Sequence, residues 1–241
     1  MQTQQVTQKM KVVIGLGKTG LSCARYLASR NEKFKVLDTR KNPPGLQQLK
    51  AECPGVELEL GEFNPQTLNN AAQLIVSPGV DQKMPVIQNA IKQGVEVTGD
   101  VDIFARSISA PIIAITGSNA KSTVTTLVGE MAKTEGIDVA MAGNIGLPVL
   151  DLLQQPLSSL YVLELSSFQL ETTTNLGAKV AALLNLSLDH MDRYSSMEDY
   201  REAKLRIFQD CQQAVINDDD LLCQPDLPAN VRQWHFSLVE N

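Results

Sequence analysis

The 241-residue sequence is poor in the residues that mark metal-binding and disulfide-rich proteins. It has two histidines and four cysteines, and these form neither a C-x-x-C pair nor a zinc-ligand spacing. A zinc site and a disulfide framework are therefore not expected. Cys23, Cys53, Cys211 and Cys223 are predicted to be reduced thiols that pack in the interior.

An excess of positive charge and long apolar runs are also missing. Lys and Arg number 21 against 27 Asp and Glu, so the net charge is −6, which argues against a nucleic-acid partner. No apolar stretch approaches the length of a membrane span, and the first ten residues, MQTQQVTQKM, lack the apolar core of a signal peptide. We therefore expect a cytoplasmic protein with no membrane partner, and we expect a monomer.

Short stretches rich in Val and Ile alternate with helical patterns along the chain. In the first half, strands are predicted at 12–16, 34–37, 56–60, 74–76 and 95–98, with helices at 19–29 and 85–93. In the second half, strands are predicted at 112–116, 139–141, 161–165, 180–184, 214–216 and 231–239, with a long helix at 121–135. This alternation predicts an α/β fold of parallel sheets covered by helices. Two domains, 1–100 and 101–241, are predicted because each half has its own strands and its own glycine-containing loop.

The first loop lies in KVVIGLGKTG, where Gly15, Gly17 and Gly20 have the spacing G-x-G-x-x-G. Between a strand and a helix this spacing is typical of nucleotide-binding domains, because glycines let the chain turn tightly and approach a phosphate at the helix N-terminus. Asp38 ends the next predicted strand, where NAD-binding proteins place an acidic partner of the ribose. Three possibilities stay open: NAD, another nucleotide diphosphate, or a tight turn without a ligand.

The second loop, GSNAKST at 117–123, follows a predicted strand and opens the long helix. In a phosphate-binding loop Lys121 would reach the β- and γ-phosphates of ATP, and Ser122 would place its hydroxyl on Mg²⁺. The general pattern G-x-x-x-x-G-K-[ST] is not met, because Ile115 and Ala120 stand where it has glycine. ATP binding and a simple Ser- or Asn-capped helix start are equally open.

Three further stretches place polar residues near the carboxyl edge of the second predicted sheet. Glu164 ends the strand in YVLELSSFQLE, His190 follows a strand in NLSLDHMDRY, and Lys204 lies on the helix in YREAKLRIF. Ligands bind at this edge in parallel α/β sheets, so Ser122, Glu164 and His190 could share a metal ion. Taken singly, each stretch has an ordinary alternative: a hydrogen-bonded buried acid, a loop histidine beside an aspartate, and a solvated helical lysine.

Together with AGNIG at 142–146, these motifs resemble those of the Mur ligases in type and in order. The resemblance runs from about residue 11 to the end of the sequence, and ELSSFQLE with DHMDRY is its most specific part. It points to the members that add D-glutamate to UDP-N-acetylmuramoyl-L-alanine, a precursor of peptidoglycan.

The resemblance implies a Rossmann-like first domain that binds the UDP of the muramoyl substrate, followed by a P-loop-type ATPase domain. In the first domain it implies substrate contacts from the glycine loop, the second strand end and the SPG turn: Lys18, Thr19, Asp38, Thr39, Arg40, Ser77 and Gly79. In the second it implies ATP contacts from Gly117, Ser118, Asn119, Ala120, Lys121, Ser122 and Thr123, and substrate contacts from Asn144, Ser166 and Gln169.

The resemblance also implies the chemistry. Ser122, Glu164 and His190 would bind Mg²⁺, with two metal sites, although imidazole is by its own chemistry a poor ligand for this ion. Lys204 matches a lysine that is carbamylated in the family, and Lys121, Lys204 and His190 are the implied catalytic residues. In the implied reaction ATP phosphorylates the alanine carboxylate, and the amine of D-glutamate then attacks the acyl phosphate.

Two departures from the family pattern have consequences. Ala120 stands where the family more often has glycine, and we predict that it lies in the right-handed helical region because the helix opens at once. Nothing in the sequence corresponds to the third domain of the family, and the second domain ends near HFSLVEN, before its closing helices. We therefore expect an incomplete ATPase domain and a fragment that binds the UDP precursor but does not complete the ligation alone.

Three alternatives compete with this interpretation. An NAD-dependent oxidoreductase would account for the first loop but not for the second loop, Glu164 and His190. A ligase for another amino acid, such as a folylpolyglutamate synthase, would lack the first domain. A non-catalytic UDP-sugar-binding remnant would account for the missing third domain.

Overall fold

The structure is a computed structural model that describes residues 9–238. The chain divides into two compact units, Met1–Thr98 and Gly99–Asn241. No helix in the described part is long and apolar enough to cross a membrane. Of the ten polar residues at the start of the sequence, 1–8 lie outside the described residues, and so does the last residue of the strand predicted at 231–239.

The first unit is a five-stranded parallel sheet with helices between its strands. In chain order its elements are β1 (Lys11–Ile14), α1 (Lys18–Ser29), β2 (Phe34–Asp38), α2 (Leu46–Glu52), β3 (Glu57–Leu60), α3 (Pro65–Asn69), β4 (Gln73–Val76), α4 (Pro85–Lys92) and β5 (Glu96–Thr98). The strand order β3-β2-β1-β4-β5 places β1 at the centre. The chain order reverses beside β1, and α/β sheets bind their ligands at such a switch point.

The central position of β1 follows from its composition. Val12, Val13 and Ile14 are at most 2% exposed, so successive residues are buried on both faces of the sheet. This is the pattern of a strand in a parallel sheet covered on both sides. Val12 and Ile14 pack in one apolar cluster with Leu68 of α3 and Ile87 of α4. The loop that follows β1 therefore starts from a rigid base.

The second unit is a six-stranded parallel sheet with the order β11-β10-β9-β6-β8-β7. Its helices and strands are α5 (Asp100–Ser107), β6 (Ile112–Thr116), α6 (Lys121–Thr134), β7 (Val139–Gly143), β8 (Leu160–Glu164), α7 (Ser167–Glu171), β9 (Val180–Leu183), α8 (Met197–Leu205), β10 (Gln213–Asn217) and β11 (Arg232–Phe236). Short 3₁₀ helices occupy Val149–Gln154, Arg206–Phe208 and Leu221–Cys223. Because β6 lies between β8 and β9, the loops that follow these three strands are neighbours at the carboxyl edge.

The predicted fold class is confirmed, since both units are parallel-sheet α/β structures. The predicted strands are present with ends shifted by one or two residues, except that β11 ends earlier, at Phe236. The helices α2, α3, α5 and α7 were not predicted. Of these, α2, α3 and α7 have only five to seven residues, which show too little of the helical period. All four cysteines are buried thiols, as predicted.

Candidate functional site

A cavity of about 520 Å³ lies at the carboxyl edge of the sheet in the first unit. It is bounded by the glycine loop after β1, the end of β2 and the turn after β4. All of the substrate contacts implied for this domain line it: Lys18, Thr19, Asp38, Thr39, Arg40, Ser77 and Gly79. Phe63, Val80 and Met84 add an apolar wall. Its size and its mixture of apolar and polar walls are those of a small-molecule site.

The glycine loop takes its shape from close packing. Gly15 has a φ of +91°, which side-chain-bearing residues rarely adopt. Gly20 approaches the loop so closely that a Cβ there would lie 1.8 Å from the carbonyl oxygen of Gly15. The Ser77 hydroxyl donates to the same oxygen at 3.0 Å. The turn after β4 therefore holds the loop after β1, and the two form one wall of the cavity.

Asp38 is occupied by donors of the protein itself. Its carboxylate accepts hydrogen bonds from the Leu16 N–H at 2.7 Å, from the Arg40 N–H at 2.9 Å, and from the Arg40 guanidinium at 2.7 and 2.8 Å. Burial by itself would raise the pKa of Asp38, but the Arg40 side chain and the two N–H groups hold it below its ordinary value. Four accepted bonds use the capacity of a carboxylate, which disfavours a role in binding the ribose of NAD.

The candidate site of the second unit is built on adjacent strand ends. Glu164 ends β8, Asn144 follows β7, and Ser122 lies in the first turn of α6 after β6. The Glu164 carboxylate is 1% exposed and accepts hydrogen bonds from the Ser122 hydroxyl and the Asn144 amide, both at 2.7 Å. A carboxylate beside a hydroxyl is an oxygen donor set of the kind that Mg²⁺ prefers. The structure thus brings these three predicted site residues together.

Two lysine ammonium groups converge on the carbonyl oxygen of Gly117. Lys121 Nζ donates to it at 2.9 Å and to the Ser118 carbonyl at 3.0 Å. Lys204 Nζ donates to it at 2.8 Å and to the Thr116 hydroxyl at 3.2 Å. Burial, assisted by the charge of Lys121, lowers the pKa of Lys204 to about 7. Near neutral pH Lys204 is therefore partly a neutral amine, the nucleophilic form.

His190 lies in an aromatic cluster beside this edge. Its ring centroid is 4.9 Å from that of Phe168 and 6.3 Å from that of Tyr200, and its Nε2 lies 3.4 Å from the Asp189 carboxylate. Within residues 9–238, no three His, Cys, Asp or Glu side chains are grouped so as to hold a metal ion. The role of His190 as a metal ligand and as a catalytic residue stays a prediction.

Ser166 and Gln169 bond to each other at the start of α7. The Ser166 hydroxyl accepts the Gln169 N–H at 3.2 Å, and the Gln169 side-chain oxygen accepts the Ser166 N–H at 3.1 Å. This capping box satisfies donors that the first helical turn leaves unpaired. The box holds both side chains in place directly after Glu164, and their contact with a substrate stays a prediction.

The prediction for the backbone of Ala120 is wrong. The residue lies in the left-handed region, with φ 63° and ψ 6°, rather than in the right-handed helical region. The helix begins only at Lys121, so Ala120 is its N-cap and turns the chain between β6 and α6. A left-handed conformation costs a residue with a Cβ about 1–2 kcal/mol, and glycine adopts it without this cost.

Ala120→Gly is expected to raise the free energy of unfolding by up to about 1 kcal/mol. The relief of the left-handed strain exceeds the roughly 0.4–1 kcal/mol by which glycine stabilises the unfolded chain. Urea unfolding measures the change. The matched control is Ala105→Gly inside α5, which is expected to lose about 1 kcal/mol because the native conformation there is right-handed. An Ala120→Gly variant less stable than wild type would contradict the argument.

Asn185 and Tyr200 also lie at the candidate site, and the sequence alone did not indicate them. Asn185 follows β9 and bonds to Ser118 and Asn119 of the second loop. The Tyr200 hydroxyl lies 3.1 Å from the Ser118 hydroxyl, and the Tyr200 ring lies 5.0 Å from Lys204 Nζ. Both residues stand in motifs that the sequence analysis used, but only the strand order β9-β6-β8 makes them neighbours of the loop.

Two family models match the chain. The model described as Mur ligase MurD-like, N-terminal domain, matches residues 9–99. The model described as Mur ligase middle domain matches residues 115–241. The first match contains the cavity of the first unit, and the second contains the loop 117–123 with Glu164, His190 and Lys204.

Similar curated proteins are named UDP-N-acetylmuramoylalanine–D-glutamate ligase. The protein of Hahella chejuensis is 56% identical over 226 residues, which are 94% of this chain and 50% of that protein. The protein of Pseudomonas aeruginosa is 53% identical over 228 residues, which are 95% of this chain and 51% of that protein. The chain spans about half the length of the curated relatives that it matches.

Two solved structures share the fold. A UDP-N-acetylmuramate:L-alanyl-γ-D-glutamyl-meso-diaminopimelate ligase from Neisseria meningitides matches with a TM-score of 0.57 at 16% identity, over 90% of this chain and 73% of that one. A UDP-N-acetylmuramate–alanine ligase from Thermotoga maritima matches with a TM-score of 0.53 at 16% identity, over 97% of this chain and 53% of that one. At these identities the match concerns the fold alone.

Proposed function

The chain belongs to the Mur ligase family, and we propose that it carries the UDP-substrate site and the ATP site of a UDP-N-acetylmuramoylalanine–D-glutamate ligase. The observation that carries the proposal is the first cavity, which is lined by every substrate contact implied for that domain. The names of the relatives that are more than 50% identical supply the substrates.

In the first unit the proposed ligand is the UDP of UDP-N-acetylmuramoyl-L-alanine. The first turn of α1 presents unpaired N–H groups and the positive end of the helix to the diphosphate, and Lys18 adds a charge. Asp38 holds Arg40 at the rim, where the guanidinium can pair with an anionic or carbonyl oxygen. Val80 and Met84 offer an apolar surface to the base.

In the second unit the proposed ligand is ATP on the loop 117–123. Lys121 would exchange the carbonyl oxygens of Gly117 and Ser118 for the β- and γ-phosphates. Ser122 and Glu164 fit Mg²⁺ by their oxygen chemistry and would hold it, with His190 proposed as a further ligand. When bound, this ion would neutralise charge on the phosphoryl oxygens.

The proposed reaction is amide-bond formation through an acyl phosphate in the synthesis of the peptidoglycan precursor. The alanine carboxylate attacks the γ-phosphorus of ATP and ADP leaves. The neutral amine of D-glutamate then attacks the acyl carbon and the C–N bond forms. Phosphate leaves with the electron pair of the C–O bond, and the nitrogen releases one proton to solvent. Asn144, which bonds to Glu164, and the pair Ser166 and Gln169 at the start of α7 are proposed to position the muramoyl-alanine end.

A carbamate on Lys204 is part of the proposal. The neutral amine attacks CO₂, an N–C bond forms and a proton is released, which leaves a negative group in place of an ammonium. Because the pKa of Lys204 is about 7, its side chain is partly in the neutral amine form near neutral pH. A carbamate would remove the repulsion between Lys204 and Lys121 and would favour a cation at the site.

Calorimetric titration with UDP-N-acetylmuramoyl-L-alanine tests the function of the first unit. We expect this ligand to bind and NAD not to bind. Lys18→Ala is expected to weaken binding about tenfold or more, because a hydrogen bond to a charged group contributes about 1.5–3 kcal/mol. Lys33→Ala removes an exposed lysine just before β2, at the other end of the strands, and is expected to bind like wild type.

The outcomes separate the competing functions. Binding of NAD alone would contradict the proposed ligand and favour the oxidoreductase. Binding of neither ligand by a chain with a folded circular-dichroism spectrum would also contradict the proposal. Equal losses in Lys18→Ala and Lys33→Ala would show that the cavity is not the site.

A further inference from the structure

Asn185, which follows β9, holds the phosphate-binding loop 117–123 by three hydrogen bonds, which we call the clamp. Its side-chain Oδ1 accepts the Asn119 N–H at 2.8 Å, and its Nδ2 donates to the Asn119 carbonyl at 3.2 Å. Its own carbonyl accepts the Ser118 N–H at 2.9 Å. Asn185 thus makes three hydrogen bonds to two consecutive loop residues, Ser118 and Asn119. Asn119 lies 66 positions before Asn185 in the chain.

These bonds fix the loop at the point where its backbone is hardest to hold. A side-chain amide that pairs with both main-chain groups of Asn119 fixes the peptide planes on either side of that residue. The next residue is Ala120, whose left-handed conformation is strained. Without the clamp the loop could relax this strain by moving away from the turn that starts α6. The clamp therefore keeps Ala120 in a left-handed conformation that alanine otherwise disfavours.

The clamp also separates the N–H groups of the loop into those paired with Asn185 and those left for a ligand. The N–H groups of Ser118 and Asn119 point to Asn185. The N–H groups of the first turn of α6, at 121–123, have no acceptor within the helix and lie at its positive end. These are the groups that a phosphate can use.

Asn185 stands on a segment that is itself anchored. The Asn217 amide donates to the Leu184 carbonyl at 2.8 Å, and the Asp220 carboxylate accepts the Leu186 N–H at 2.8 Å. Ser187 adds a bond from its N–H to the Ser118 hydroxyl at 3.0 Å. The end of β10 thus supports the segment 184–187, and that segment supports the loop.

We propose that Asn185 is a positioning residue that holds the phosphate-binding loop in its phosphate-accepting shape before any ligand arrives. Preorganisation of this kind increases affinity because binding does not have to order the loop. The inference rests on the proposed function in one respect, namely that the ligand of the loop is a nucleoside di- or triphosphate.

Asn185→Ala removes the clamp, and Asn217→Ala is the matched control. Both changes delete a side-chain amide that donates to a main-chain carbonyl, but Asn217 supports Leu184 and makes no bond to the loop. In the ligand-free chain we expect the Asn119 amide hydrogen to exchange at least about tenfold faster in Asn185→Ala, and less than about threefold faster in Asn217→Ala, whose amide reaches the loop only through the segment 184–187. With Mg²⁺ and ADP we expect Asn185→Ala to bind about tenfold more weakly. Its affinity for adenosine, which has no phosphate, is expected to stay unchanged.

Several results would overturn the inference. One is wild-type exchange of the Asn119 amide in Asn185→Ala. Another is an equal loss of ADP affinity in both variants, or an equal loss for ADP and adenosine, because general destabilisation would produce either. If the wild-type chain binds no ADP, the proposed function of the second unit fails, and the exchange rates alone decide whether Asn185 positions the loop.

Discussion

Gly20→Ala is expected to destabilise the first unit by about 3 kcal/mol and to abolish ligand binding in its cavity. The added Cβ would lie 1.8 Å from the carbonyl oxygen and 2.8 Å from the carbonyl carbon of Gly15. These are main-chain atoms, and the Gly15 oxygen already accepts the Ser77 hydroxyl. Alanine gains about 1 kcal/mol over glycine inside a helix, which is too little to offset the clash.

Gly17→Ala is the control for this experiment. A Cβ at Gly17 meets no atom within 4 Å, and its φ of −91° is ordinary, so stability is expected to change by less than about 1 kcal/mol. Hydrogen exchange of the Gly15 amide, which donates to the Leu37 carbonyl at 2.8 Å, reports on this unit in both variants. If Gly20→Ala protected this amide as well as Gly17→Ala does, the steric argument would be wrong.

Lys204→Met is expected to remove a pH dependence of stability that wild type shows between pH 7 and pH 8.5. Lys204 has a pKa of about 7 in the folded chain and an ordinary value of 10.5 when unfolded. Between these values the unfolded chain binds a proton that the folded chain does not, so wild-type stability rises with pH. Titration of Lys204 therefore lowers the wild-type free energy of unfolding as the pH decreases from 10.5 to 7. Below pH 7 this residue causes no further decrease.

Urea unfolding of both proteins at pH 7 and pH 8.5 gives the size of this effect. The unfolding free energy of wild type minus that of Lys204→Met is expected to increase by about 1.5 kcal/mol from pH 7 to pH 8.5. The upper limit avoids the titration of tyrosine, the titration of cysteine is common to both proteins and cancels in the difference, and buffers free of CO₂ keep the amine unmodified. Parallel pH curves for the two proteins would show that Lys204 is not a buried amine with a low pKa.

The fold was predictable where the apolar pattern extends over a whole element. Val12 to Ile14 form a run that suits a strand buried on both faces, and α6 is long enough to show its period. The helix α3 has only five residues and depends on its cap, in which the Asn64 side chain accepts the Gln66 N–H at 3.0 Å. Elements of this kind are stabilised by single hydrogen bonds rather than by a pattern.

The site was predictable in its residue types but not in its contacts. Family motifs indicated several residues that line the first cavity, and the strand pattern indicated that Ser122 and Glu164 lie at one edge of the second sheet, but neither predicted the hydrogen bond between these two side chains. The left-handed Ala120 could not be inferred, because the geometry of the turn between β6 and α6 decides its dihedral angles. The role of Asn185 depends on which strands are neighbours, and the low pKa of Lys204 depends on its burial. Both are properties of the packed structure.

The bond between Ser77 and Gly15 joins residues 62 positions apart and therefore sets an order of events on the ribosome. A ribosome adds about 5–20 residues each second, so the glycine loop waits about 3–12 s for the hydroxyl that holds it. The central strand β1 waits equally long for β4, its partner on one side. During this interval the nascent chain has the complete G-x-G-x-x-G motif but lacks the turn after β4 that forms part of the cavity wall. We expect it to gain its ligand cavity only when the turn at 77–79 has left the exit tunnel.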